Sequence, residues 1–178
     1  MRCPGPGRSL QRRMLTPLLR AVGTQLWALL VLLACVGGAR AEDGYALWMR
    51  YQPVAATVAA DYRRQLAEVV APDRTPMQRA TRDELARSLP GLLGAAPPMR
   101  TAISTERALV LGTPQSSTLV AAYDASRLSE SKEGFLIRRV RIEGRDVLLV
   151  AARQDVGVLY GMFHLLRLLQ RGTPLQAL

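Results

Sequence analysis

The chain has 178 residues, 24 of them basic and 14 acidic, with a formal net charge of +10. Its length allows one small domain with a real core. Neither the charge nor the few reactive side chains specify a partner: 23 of the bases are Arg, dispersed and with few interleaved aromatics, which is a poor basis for nucleic-acid binding. A single His (His164) and two Cys (Cys3, Cys35) provide no ligand set for a metal.

Residues 1–41 read as an export signal. Leu26 to Val36 is an apolar core of eleven residues, preceded by Arg2, Arg8, Arg12, Arg13 and Arg20. Ala39-Arg40-Ala41 is a small-x-small cleavage site, predicting cleavage between Ala41 and Glu42. The core is well short of the roughly 20 residues that a spanning helix requires. Met14 offers an alternative start to Met1, Arg12-Arg13 is a weak twin-arginine signal, and Leu32-Leu33-Ala34-Cys35 is a passable lipoprotein box. The expected location is therefore periplasmic or secreted, with lipid anchoring at Cys35 as the alternative. Cleavage at Ala41 removes both cysteines and six bases, leaving 18 bases against 14 acids. The high charge is then mostly a targeting feature, and the mature domain, residues 42–178, has neither a disulfide nor a thiol nucleophile.

Glu42 to Arg50 is a short opening segment whose alternation (Tyr45, Leu47, Met49) suits an edge strand. Helical spacing follows at Val54, Val58, Tyr62, Leu66 and Val69 or Val70, while Leu66 to Ala71 equally suits a strand closed by Pro72; a helix to about Arg63 and then that strand is the favoured reading. Thr75 to Leu89 is a clear helix. Thr75 is its N-cap, Pro76 its first residue, and Gln78 completes a capping box. Met77, Leu85 and Leu89 face one way, and Leu92 and Leu93 prolong the stripe past Pro90 and Gly91. Gly94 to Arg100 is a connector. Arg107 to Leu111 is a buried strand ended by Gly112-Thr113-Pro114. Ser116 to Leu128 can hold a short helix, and Ser129 to Glu133 is a polar loop.

Gly134 to Gly172 reads as strand, turn, strand, helix. Phe135 to Ile142 is irregular: Arg138 shares a face with Val140 and Ile142 while Ile137 takes the other, which requires a bulge or an exposed edge. Glu143-Gly144-Arg145 is the turn, with Gly144 free to take positive φ. Val147 to Ala152 is unbroken apolar sequence, suited to a strand covered on both faces. Asp155 is the expected N-cap of the last helix, about Val156 to Arg171, and Gly172 and Pro174 end it. Its small or polar residues form one narrow stripe (Gly157, Gly161, His164, Arg167 or Leu168, Arg171). An amphipathic helix on one sheet needs an apolar arc of only about 100°. The excess predicts a second burial partner outside the chain, with Leu159, Met162, Leu165, Leu166 and Leu169 as the interface. The element order makes this an α+β layer domain, a mixed sheet with helices packed on it.

Few groups in this chain converge for catalysis. His164, alone on an apolar helix, reads as a packed or hydrogen-bonded core residue. Asp83-Glu84 reads as a solvated pair on an exposed helix face, and Glu42-Asp43 falls at the new N-terminus. Glycoside hydrolysis commonly uses two carboxylates held across a sugar, and no such pair is legible. Ser116 and Ser117 have no evident base partner. Gly112-Thr113-Pro114 lacks phosphate-loop spacing. The Gly157/Gly161 pair suits close approach of helix to sheet, and Trp48 suits core anchoring better than sugar stacking. Neither a metal nor a cofactor is expected.

Three stretches carry a resemblance: EDGYALWMRYQPV (Glu42 to Val54), ALVLGTP (Ala108 to Pro114) and DVGVLYGMFHLLRLLQ (Asp155 to Gln170). Together they resemble the N-terminal domain of glycoside hydrolase family 67 α-glucuronidases, over essentially all of Glu42 to Gly172. The Gly-x-Leu-Tyr-Gly core of the helix is also similar to the N-terminal domains of β-hexosaminidases. The resemblance implies a zincin-like α+β fold without the metal site. It also implies a following (β/α)8 barrel as partner. That barrel would carry the catalytic carboxylates and would hydrolyse α-1,2-linked glucuronic acid, or its 4-O-methyl ether, from xylooligosaccharides without a metal. No residue of this chain matches those carboxylates, so the chain by itself is expected to be an inactive fragment. The alternative is a freestanding, non-catalytic binding or interaction module of the cell envelope.

Overall fold

A computed structural model describes residues 50–178. The expected cleavage site at Ala41/Glu42, the signal, Cys35, the opening strand and Trp48 lie outside the described residues. Helix α1 spans Ala56–Gln65, strand β1 Glu68–Val70, helix α2 Pro76–Leu93, strand β2 Met99–Arg100 and strand β3 Arg107–Gly112. A single turn, α3, covers Thr118–Ala121, followed by a 3-10 turn at Ala125–Arg127, strands β4 (Leu136–Ile142) and β5 (Arg145–Ala151), and helix α4 (Asp155–Gln170). The strands form one mixed sheet in the order β2-β1-β3-β5-β4. All neighbours are parallel except the β4–β5 hairpin.

Residue alternation along the central strands assigns two cores. Val69, Leu109, Leu111, Leu148 and Val150 face a layer made by α1, α2 and α4. Val70, Ala108, Val110, Val147 and Leu149 face the other way, under Leu119, Val120 and Leu128. Because both faces are covered, β3 and β5 tolerate the continuous apolar runs seen in their sequences.

Helix α2 begins as its sequence requires. The Thr75 side chain accepts from the Gln78 N–H at 3.1 Å, and Gln78 Oε1 accepts from the Thr75 N–H at 3.3 Å. The helix does not stop at Leu89. It runs through Pro90 and Gly91 to Leu93 and closes on Gly94 at φ 72°. Proline inside a helix costs about 3 kcal/mol, but here Leu92 and Leu93 are fully buried, and the Val54 N–H donates to the Leu92 carbonyl at 3.1 Å. Met77 departs from the expected stripe and is 37% exposed.

The irregular β4 contains no bulge: its register with β5 is continuous from Leu136↔Ala151 to Ile142↔Arg145. It is an edge strand with apolar residues on both faces, Ile137 toward one core and Leu136 and Val140 toward the other. Arg138 is exposed, and Arg139 reaches Gln65 Oε1 at 2.7 Å. Its two-residue turn has Glu143 at φ 51° and Gly144 at φ 78°, the backbone of a primed hairpin turn. Gly144→Ala has open space around it, so its expected cost is conformational only, about 1 kcal/mol in a urea titration.

Two expectations about α4 fail. Asp155 is the first helical residue and Gln154 occupies the cap position without a side-chain bond. The Asp155 carboxylate instead accepts from Thr75 Oγ1 at 2.8 Å and Gln78 Nε2 at 3.1 Å, tying the N-terminus of α4 to that of α2. Thr75→Ala therefore removes a cap and this tie together and is expected to cost about 2 kcal/mol, read as a lower urea midpoint. The second failure concerns the surplus apolar surface. Met162, Leu165, Leu166 and Leu169 are buried inside this domain, and Leu159 packs against the same core. The second partner of α4 is α2, so those five residues do not form an outward seam. The C-terminal end of α4 follows expectation: Gly172 at φ 71°, with Thr173 N–H to Leu168 O and Gly172 N–H to Leu169 O, forms a Schellman motif.

Candidate functional site

The connection leaving β1 (α2) packs on one face of the sheet, and the connection leaving β3 (α3) packs on the other. Neighbouring parallel strands whose connections diverge leave a crevice beyond their carboxyl ends, the usual ligand position in such sheets. In this chain an open groove of about 410 Å³ begins there. Pro72, Asp73 and Arg74 come from the β1–α2 turn, Thr101 to Ile103 from the β2–β3 loop, and Ser116 to Leu119 from the start of α3. Glu143 and Arg145 close the far end from the hairpin.

One buried carboxylate shapes this groove. Glu68, at the start of β1, is fully buried. It accepts from the Ser104 N–H at 2.7 Å, the Ser104 hydroxyl at 2.5 Å and the Thr105 N–H at 2.8 Å. Arg100 Nε lies 3.3 Å away. Burial pushes its pKa up, but the hydrogen bonds from Ser104 and Thr105 outweigh this and hold it below the usual glutamate range. Glu68 thus pins the loop that forms one wall. The sequence contained no sign of this role: a glutamate before two valines reads as a solvated strand end.

Within the groove most charges are matched. Asp73 lies 3.9 Å from Arg82, and Glu143 lies 3.4 Å from Arg145. The Arg74 guanidinium makes no bond or ion pair among the described residues, and neither do the hydroxyls of Thr101 and Thr118. Ser117 accepts from the Val120 N–H at 3.4 Å as the cap of α3. Ser116 is occupied in the turn after β3, where its hydroxyl accepts from the Thr113 N–H at 2.8 Å. Gly112-Thr113-Pro114 is thus the strand-ending turn its sequence suggests.

The other residues singled out by sequence are not brought together. His164 faces outward rather than into the core, its ring 5.5 Å from that of Phe135. The Asp83-Glu84 pair is split: Asp83 is exposed, but Glu84 is buried, because residues 50–54 pack over α2. Glu84 accepts from the Tyr51 hydroxyl and from Arg87 at 2.6 Å. Gly157 and Gly161 do lie against the sheet: a Cβ at Gly157 would stand 2.7 Å from Ala152 Cβ, and one at Gly161 2.8 Å from Val150 Cγ1. No cluster of three or more His, Cys, Asp or Glu suited to a metal occurs among the described residues. No helix among them is long and apolar enough to cross a membrane.

This layered α+β domain is an accessory domain of glycoside hydrolases. Residues 47–165 match the sequence profile of the glycosyl hydrolase family 67 N-terminus, and the chain belongs to that family. No curated protein matches it. Among solved structures it is similar to a family GH115 4-O-methyl-α-glucuronidase with specificity for decorated arabinogalactans, at 27% identity and a TM-score of 0.47. That match covers 59% of this chain and 13% of the enzyme, so the chain spans only a small part of that relative's length.

Proposed function

We propose that this chain is the non-catalytic N-terminal domain of an exported α-glucuronidase that removes α-1,2-linked glucuronic acid, or its 4-O-methyl ether, from xylooligosaccharides. A (β/α)8 barrel would be its partner, would hold the catalytic carboxylates, and would be the only part to carry out the hydrolysis. The family match over residues 47–165 carries this reading. It is supported by how the rigidly held carboxylates are employed: Glu68 fastens a loop, Glu84 fastens the segment before α1, and Asp155 fastens two helices. The test is an assay of the purified chain on aldouronic oligosaccharides, together with reading of the DNA beyond Leu178. No release of glucuronic acid is expected from the chain alone, and a barrel-coding continuation is expected downstream. Turnover by the chain itself would overturn the non-catalytic assignment, and unrelated downstream sequence would overturn the partner.

The closed core of α4 favours a second reading, a freestanding module. Since Met162, Leu165, Leu166 and Leu169 are covered within the domain, a chain starting at Glu42 is expected to sediment as a monomer. Concentration-dependent association would argue for an uncovered face after all.

A further inference from the structure

The groove beyond β1 and β3 has a volume within the roughly 300–1,000 Å³ range of small-molecule sites. Its walls are structural, held by the Glu68 contacts on one side and by the α3 cap on the other. Its polar groups select a chemistry. Asp73 lies near Arg82 and Glu143 near Arg145, and among the described residues Arg74 is the lining cation with no ion-pair partner. A planar guanidinium in that state matches a carboxylate, which it can hold through two parallel hydrogen bonds. Thr101 and Thr118 add hydroxyls that make no bond among the described residues, and the Ser117 hydroxyl keeps its proton to donate. Among the described residues no aromatic side chain lines the groove, so recognition there would be polar rather than by stacking.

We propose that this groove binds a small polyhydroxylated carboxylate, a sugar acid of monosaccharide size, with Arg74 taking the carboxylate and Thr101, Ser117 and Thr118 the hydroxyls. Binding there is expected whether or not a barrel is attached. The free acid and the acidic end of an oligosaccharide share this chemistry.

Backbone amide shifts of the full chain, titrated with sodium glucuronate, an aldouronic trisaccharide, glucose and inorganic phosphate, test the proposal. Saturable shifts confined to Thr101 to Ile103, Arg74 and Ser116 to Leu119 are expected, with roughly millimolar affinity for a ligand of this size. Glucose is expected to bind about tenfold more weakly, since it forfeits the charge-assisted bonds. Arg74→Gln should lose about tenfold in glucuronate affinity, and Thr118→Val a smaller factor, with the remaining spectrum unchanged in both. Tighter binding of the trisaccharide than of glucuronate would mark the oligosaccharide as the source, and equal binding the free acid. Shifts outside the groove, phosphate binding as tightly as glucuronate, no saturation, or an unchanged affinity in Arg74→Gln would each overturn it.

Discussion

Gly157→Ala is expected to destabilise the domain by about 3 kcal/mol, despite replacing glycine by the best helix former. A Cβ at this position would stand 2.5 Å from the Gly134 carbonyl oxygen and 2.7 Å from Ala152 Cβ. Neither neighbour is the loose end of a flexible side chain. Gly134 is held by its N–H bond to the Ser131 carbonyl, and Ala152 by its N–H bond to the Gly112 carbonyl. The first turn of α4 must therefore lift, and that strains the Asp155 bonds to Thr75 and Gln78. The roughly 1 kcal/mol gained in helix propensity does not offset the displacement of packed backbone. Urea denaturation of the variant beside Gly144→Ala, whose Cβ meets nothing within 4 Å, separates close packing from glycine entropy. Equal midpoints for the two variants would show that helix and sheet are not in tight contact here.

Glu68→Ala is expected to cost about 3 kcal/mol as well, for a different reason. It leaves the Ser104 and Thr105 donors without their acceptor and Arg100 without its counter-ion. For a domain of this size such a loss lowers Tm by about 10 °C. The loop carrying Thr101 to Ile103 should lose hydrogen-exchange protection at the same time. Glu68 also predicts an acid dependence. Its folded pKa lies below its unfolded one, so the unfolded chain binds more protons in the interval between them. The stabilisation is complete above the ordinary glutamate pKa and disappears as pH falls through the lower, folded value. The wild type should therefore approach Glu68→Ala in stability on acidification. A constant gap between the two across that interval would contradict the linkage.

Gln65, Glu68, Glu84 and Ser88 are all buried, yet nothing in their sequence neighbourhoods distinguishes them from solvated helix or strand positions. Asp83-Glu84 reads in sequence as a solvated pair, and Tyr51, whose hydroxyl bonds Glu84, lies 33 positions away. Asp155 has the right type for a cap but is spent on a contact 80 residues distant. Local pattern cannot register such partners, since a hydrogen bond between elements depends on which elements are neighbours. The surplus apolar arc of α4 was legible, but its partner was not. The same leucines would serve an outside interface or the flank of α2, and only the position of α2 on the sheet decides between them.

What the sequence by itself determined is whatever depends on near neighbours. This covers the capping box at Thr75 and Gln78, the hairpin turn at Glu143-Gly144, the doubly covered run of β5, the Gly172 stop, the layered α+β class and, through its motifs, the family. The groove required the tertiary structure. Pro72, Thr101, Ser117 and Glu143 come from four separate connections. They meet because β1 and β3 lie side by side and send their following chains to opposite faces, an arrangement set by strand order, which no local spacing records.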